Sequence, residues 1–333
     1  MAAEELSFRT KVLNGFLWLG TGTFIGQFIS WISTIFVIRL LLPSDYGLMA
    51  MAVSVVNFLA LMSEIGVGSS IVQADQITEK EIRQIFGFVI ITNIVGWLLC
   101  LTVAPLIALF YHEHNLVILI RVMSVSFIIM TLYIIPQSLY IREMNFRTKA
   151  SIDLSAQIGS SILTLILAWI GLRVWALVIG LIALHIIKAI SYNIARHTWW
   201  KPIYQYKGAE KFIHYGLTLT GDRLFNYLYT ISDTVIVGKF LGNSLLGIYA
   251  VALNLASIPA EKVLPIITQV SFTSYSRIQD NIGRIRRNIL RASRIIAFAG
   301  FPIFFGMAGV ASEAIPLLLG SKWVNIVVPF QLL

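Results

Sequence analysis

Residues 85–110 read IFGFVIITNIVGWLLCLTVAPLIALF, a stretch without one charged side chain. The hydrocarbon core of a bilayer is about 30 Å thick, and a helix needs about 20 apolar residues to cross it. This stretch is long enough alone. Working outward, comparable stretches run over 14–41, 46–72, 116–140, 152–170, 174–195, 212–240, 245–271 and 293–319, so nine complete spans are expected. Backbone polar groups find no water in hydrocarbon, and a continuous apolar run that crosses it must bond internally as a helix. The expected class is an all-α polytopic membrane protein.

Composition points the same way. Of 333 residues 57% are apolar and 12% are charged, where a soluble domain carries about 25% charged residues. Mean hydropathy is +0.82. A water-soluble enzyme, a disordered chain and a disulfide scaffold are excluded; the one cysteine, Cys100, has no partner for an intrachain bridge. Residues 1–12 carry both charge signs and the apolar run after them is too long for a signal peptide's core, so an uncleaved first span is expected. A tenth apolar stretch starts at Val324 and reaches only Leu333, which predicts a longer protein with further spans.

The net charge of +9 reports orientation rather than a nucleic-acid partner. Connections after odd-numbered spans are tight, as in Leu42-Pro43-Ser44-Asp45 and Gly171-Leu172-Arg173, whereas those after even-numbered spans are longer and basic. Of 25 Lys and Arg, 18 fall in the N-terminus and even connections, counting Lys188 near the inner end of span 6, and four (Arg39, Arg173, Lys239, Lys322) fall in odd ones. Basic residues stay in the cytoplasm, so the N-terminus and even connections are expected there. Residues 276–294 place Ile278, Ile282, Ile285 and Ile289 at helical spacing among Arg284, Arg286, Arg287, Arg291 and Arg294, the pattern of an interfacial helix on anionic lipid.

A shift of 200 residues superposes spans 1–2 on spans 7–8. Within 34–52, seven of 19 positions match: Thr34/Thr234, Val37/Val237, Leu41/Leu241, Ser44/Ser244, Gly47/Gly247, Ala50/Ala250 and Ala52/Ala252, with Arg39 facing Lys239. The period is six spans, an even number, so the halves share one orientation and a substrate path is expected between them. The predicted architecture is two parallel-repeat six-helix lobes around a central cavity, residues 1–210 forming the first and 211–333 an incomplete second.

Polar groups repeat with that register. Span 1 carries Thr23, Gln27, Ser30 and Thr34 on one face; span 7 carries Asp222, Arg223, Asn226, Thr230 and Asp233. Span 2 has Ser54, Asn57 and Glu64, and span 8 has Asn254, Ser257, Glu261 and Lys262. Ser, Thr and Asn serve as glue between membrane helices. A charge at mid-membrane costs about 2.5–3.5 kcal/mol and needs a partner or a wet cavity. Candidate cavity groups are therefore Arg223, Lys262, Arg39, Lys239, Gln27, Asn57 and Asn226, with cations suited to a phosphate. The carboxylates Asp233, Asp222, Glu64 and Glu261 are candidates to bind a coupling Na+ or H+. His112-Glu113-His114 reads as a solvated turn, His185 as a packed histidine, and Gly238 with Gly242 as a small-residue helix contact. No cofactor, metal cluster or catalytic constellation is expected.

Four motifs add a resemblance. Leu42-Pro43-Ser44-Asp45-Tyr46-Gly47-Leu48-Met49-Ala50, Met144-Asn145-Phe146-Arg147, Gly171-Leu172-Arg173-Val174-Trp175-Ala176-Leu177-Val178, and Asp233 through Gly242 followed by Gly247-Ile248-Tyr249 resemble motifs of Wzx-type polysaccharide flippases. These form the polysaccharide transporter family of the multidrug/oligosaccharidyl-lipid/polysaccharide exporter superfamily, and the colanic-acid and teichuronic-acid branch is the most similar. The resemblance implies a bacterial inner-membrane transporter for polysaccharide or lipopolysaccharide biosynthesis. It would move an undecaprenyl-diphosphate-linked oligosaccharide to the outer leaflet by ion-coupled alternating access. Its partners would be that lipid-linked oligosaccharide, membrane lipids, and a polysaccharide polymerase with other assembly proteins. By this resemblance Arg223 and Lys262 would fill the role of arginines in related flippases, and Asp233 that of a sodium-binding aspartate; span 1 departs, carrying only Arg39 at its end. A multidrug or metabolite cation antiporter is the alternative within transport. A membrane glycosyltransferase usually needs larger external loops than the few-residue turns found here.

Overall fold

A computed structural model describes residues 30–64, 67–74, 76–196, 200–205, 210–276 and 282–333. Every regular element among them is helical: α1 (Ser30–Leu40), α2 (Pro43–Glu64), α3 (Val67–Gln73), α4 (Glu79–Tyr111), α5 (Asn115–Met123), α6 (Val125–Thr131), α7 (Ile134–Arg142), α8 (Phe146–Trp169), α9 (Val174–Ala195), α10 (Glu210–Ser276), α11 (Ile282–Leu319), a 3-10 turn (Ser321–Ile326) and α12 (Val327–Leu332). Six helices are long and apolar enough to cross a membrane, and the bent series α5–α7 makes a seventh. The all-α membrane class holds.

The expected span count of nine differs from this for identifiable reasons. Span 1 is described only from Ser30, its first part lying outside the described residues. Spans 7 and 8 are the two arms of α10, helical throughout except at Gly242, where φ is 78° and ψ 179°. A straight helix would separate Asp233 and Tyr249 by about 24 Å at 1.5 Å per residue, yet the Tyr249 hydroxyl donates to Asp233. The chain therefore reverses at Gly242. That glycine supplies a turn with positive φ and no helix contact, correcting the expected small-residue pairing; Gly238 does pack, against Tyr111, Leu246 and Met51.

Other boundaries shift in the same concrete way. The helix expected over 116–140 breaks between Thr131 and Ile134 with a 46° bend. The span expected at 85–110 is longer, because a capping box extends it into polar sequence: Thr78 Oγ1 accepts from Glu81 N (3.3 Å) and Glu81 Oε2 from Thr78 N (2.7 Å). It ends where His112 adopts a left-handed φ of 57°. The basic segment from Ile282 onward is helical and runs on into span 9 as α11; residues 277–281 are outside the described ones.

Two hairpins, α1–α2 and the arms of α10, meet backbone to backbone. A Cβ on Gly47 would lie 1.7 Å from Asn243 O, and one on Gly247 would lie 1.8 Å from Pro43 O. Pro43 and Asn243 stand in the same 200-residue register as Gly47 and Gly247, so the contact is reciprocal. Around it, Met51, Ala52, Tyr111, Leu116 and Leu246 form one buried cluster, and Ile38, Val251, Ala252, Leu319 and Trp323 another. Two ammonium groups and an indole close the helix ends nearby, satisfying last-turn carbonyls that a helix leaves open. Lys239 Nζ donates to Phe110 O (2.5 Å), Lys322 Nζ to Leu40 O (3.1 Å) and Trp323 Nε1 to Ile38 O (2.8 Å). Asp45, 2% exposed, accepts from Leu42 N (3.0 Å) and pairs with Arg173 (3.3 Å), tying this end to the α8–α9 turn.

Small side chains let membrane helices approach closely, and overfilling such a contact costs about 1–3 kcal/mol. Gly47→Leu and Gly247→Leu are expected to lower the thermal unfolding midpoint in detergent. Gly309→Ala, with nothing within 4 Å of its added carbon, is expected to leave it unchanged.

Candidate functional site

The first arm of α10 runs along α2 and α3, and its charged and aromatic side chains meet theirs. Arg223 Nη2 donates to Ser69 Oγ (3.0 Å). One turn on, the Tyr227 hydroxyl donates to Ser54 O (3.0 Å), receives a hydrogen bond from Asn57, and its ring stacks on Phe58 at 6.5 Å. Further along, Asp233 accepts from Thr234 N (2.7 Å) and from the Tyr249 hydroxyl of the second arm. Along this seam a cation and a phenol thus meet α3 and α2, and further along the same arm a carboxylate meets the phenol of the second arm.

Ser69 also lines a cavity of about 380 Å³ between α3 and α7, with Gln73, Gln137 and Ser138 among its walls. Arg142, at the end of α7, closes the neighbouring helix end by donating to Ile71 O (2.8 Å) and Ala74 O. Amides, hydroxyls and a guanidinium are the groups that bind sugar hydroxyls and phosphate oxygens. Within the described residues this is the cavity that Arg223 adjoins.

The other sequence candidates separate into three groups. Asn57 joins the seam through Tyr227, while Asn226 is exposed and its carbonyl accepts from Thr230 Oγ1 (2.9 Å). Arg39 and Lys239 stand apart from the seam at the helix ends, Arg39 beside Gly320 and Lys239 on Phe110 O. Gln27 lies outside the described residues, as do the side chains of Asp222, Glu64, Glu261 and Lys262. The polar face expected of span 1 is used differently where it is described: Ser30 Oγ accepts from Gln157 Nε2 (3.0 Å), and neighbouring Ser33 Oγ donates to Ser161 O (3.0 Å), both joining α1 to α8.

Sequence reasoning missed Tyr227, Tyr249, Ser69 and the two glutamines. Tyr227 was legible in principle, four residues after Arg223 on the same face. Ser69, Gln73 and Gln137 come together only because the chain bends around them. His185 is packed as expected, its Nδ1 2.9 Å from the Tyr133 hydroxyl. His112 is exposed, as expected of a solvated turn, with Nε2 3.1 Å from Lys239 Nζ. A further charged group lies between α8 and α9, where Asp153 pairs with Lys149 (2.6 Å) and Lys188 (3.2 Å).

Comparison with known proteins fits a membrane chain carrying this seam. Residues 36–328 match the family model described as polysaccharide biosynthesis protein. The teichuronic acid biosynthesis protein TuaB of Bacillus subtilis (strain 168) is 27% identical over 269 residues, covering 80% of this chain and 56% of TuaB. The lipopolysaccharide biosynthesis protein WzxC of Escherichia coli (strain K12) is 24% identical over 330 residues, 98% of this chain and 67% of WzxC. The succinoglycan biosynthesis transport protein ExoT of Rhizobium meliloti (strain 1021) is 23% identical over 304 residues, 91% of this chain and 61% of ExoT. The chain thus spans little more than half to two thirds of these relatives' length. No solved structure matches it. With nearly its whole length under one family model, the chain belongs to the polysaccharide biosynthesis protein family, among the Wzx-type exporters its motifs resemble.

Proposed function

We propose that the complete protein is a flippase that carries an undecaprenyl-diphosphate-linked oligosaccharide from the cytoplasmic to the outer leaflet of the bacterial inner membrane. The observation that carries this reading is the family match over 36–328, together with an Arg223-flanked polar cavity on a chain of membrane helices.

The mechanism is alternating access of two repeat-related lobes, residues 1–210 and the second beginning at 211, with the N-terminus cytoplasmic. The reciprocal packing of Gly47 on Asn243 and Gly247 on Pro43 supports a two-fold relation between hairpins of like orientation. On that orientation the glycine contact, Lys239 on Phe110 and Lys322 on Leu40 hold the external ends together, and Arg223 with Ser69 lies toward the cytoplasm. Arg223 receives the diphosphate there, the amides and hydroxyls of α3 and α7 receive the sugar, and Asp233 binds the coupling Na+ or H+. Both are cheaper in a polar seam than in lipid, because each charge already has a neutral hydrogen-bonding partner that can be exchanged for substrate or ion.

The first test uses the full-length gene deleted in its host. Undecaprenyl-linked oligosaccharide is expected to accumulate on the cytoplasmic face, to be restored by the wild-type gene, and to reveal its sugar by mass. Unchanged lipid-linked sugars with lost cation efflux would instead establish the antiporter. In the complemented strain, Arg223→Ala and Asp233→Ala are each expected to abolish export while the protein still reaches the membrane at normal level. Export at the wild-type rate by both would remove the site assignment.

A further inference from the structure

The connection between α9 and α10 is fastened to the start of α4. Ile203 N donates to Arg83 O (3.1 Å), Arg83 Nε to Lys201 O (2.9 Å) and Gln84 Nε2 to Gln205 O (2.5 Å). Gly87 lets this strap lie against the helix, since a Cβ there would meet Ile203 O at 2.6 Å. The strap holds Trp200 over a cavity of about 410 Å³, whose walls include Phe86, Leu132, Ile135, Ala189 and Ile190. The break between α6 and α7 supplies the space.

Three features of this cavity select its ligand. Its polar wall groups are satisfied within the protein: Thr131 Oγ1 donates to Phe127 O (3.0 Å), and Asn193 Nδ2 to Leu132 O (2.9 Å) and Ala189 O (2.7 Å). What remains on offer is hydrocarbon. Its mouth opens beside the exposed Leu132 and Ile190, and Ile190 continues an exposed row with Ile186 and Ile194 at four-residue spacing on α9, the face of a membrane helix that lipid covers. Its wall includes the indole of Trp200, a side chain suited to the membrane interface, and the next residue of the strap is the exposed Lys201. Arg83 and Arg196 add positive charge near the strap, Arg196 paired with Glu143 at 2.6 Å and Arg83 following Glu79 and Glu81 in the first turn of α4. The volume falls within the range of about 300–1,000 Å³ usual for small-ligand sites.

We propose that this cavity is a binding site for one acyl chain of an anionic phospholipid, its phosphate on Lys201 and its glycerol region beside Trp200. The ligand enters sideways from the leaflet and is distinct from the transported molecule, which the seam at Arg223 serves. A chain held between α4, the α6–α7 break and α9 wedges these helices apart at the bend.

The test places the full chain in vesicles of phosphatidylcholine with a minor fraction of phosphatidylglycerol, the acyl chains of one lipid at a time carrying bromine. The Trp200 signal is the fluorescence difference between the chain and its Trp200→Phe variant. Brominated phosphatidylglycerol is expected to quench it about fivefold more per mole than brominated phosphatidylcholine, the preference that one interfacial lysine gives. Lys201→Glu, at an exposed position, is expected to abolish the preference, and Ala189→Leu to abolish Trp200 quenching by either lipid. Quenching that follows mole fraction for both lipids, or a preference that Lys201→Glu leaves intact, would overturn the proposal.

Discussion

Two glycines and the carbonyls they cover hold the rest of this molecule in place. At Gly47 and Gly247 the backbones approach so closely that no side-chain carbon fits. In a bilayer this kind of contact matters more than in water. Lipid tails are as apolar as leucine, so burial of apolar surface drives helices together weakly, and close van der Waals packing must supply the attraction. The contact also fixes register. Once Gly47 sits on Asn243 and Gly247 on Pro43, the first arm of α10 is laid along α2, and Arg223 and Tyr227 arrive opposite Ser69 and Ser54. The seam is a consequence of the crossing, not a separate device.

This explains why so much of the fold was legible in the sequence and where legibility stopped. Apolar runs report helices directly because hydrocarbon leaves the backbone no alternative, so most of the expected spans found their helices. Gly47 and Gly247 stood out as matched positions of a repeat before their contact was known. The errors have a common physical cause, which is that span boundaries are set by hydrogen bonds rather than hydropathy. The capping box at Thr78 and Glu81 lengthens α4 with polar residues, and nothing in the apolarity of 116–140 discloses the break at 132–133. Gly242 was read as a helix contact because its spacing from Gly238 suited one; its positive φ belongs to the hairpin.

The site divides along the same line. Arg223 and Asp233 were legible because charge in an apolar run is costly and so must have a purpose. Their partners Ser69 and Tyr249, and the glutamines of the neighbouring cavity, were not, since uncharged groups carry a smaller penalty and announce themselves only when folding collects them. The polar face of span 1 shows the converse risk. Ser30 looked equivalent to Thr230, yet it receives Gln157 and joins α1 to α8, so a polar position in a membrane helix marks a need for a hydrogen bond and not its destination.

Helix α7 draws these strands together, because it forms a wall of both cavities. Ile135 and Pro136 face the apolar one, while Gln137 and Ser138 line the polar one with Ser69 and Gln73. The 46° break turns this helix out of the line of α5 and α6, and both of its ends are fixed: Ile134 and Ile135 lie in one buried cluster with Ile71 and Ile85, and Arg142 is held by the carbonyls of Ile71 and Ala74. The bend therefore sets at once which side chains of this short helix face the apolar cavity and which face the polar one.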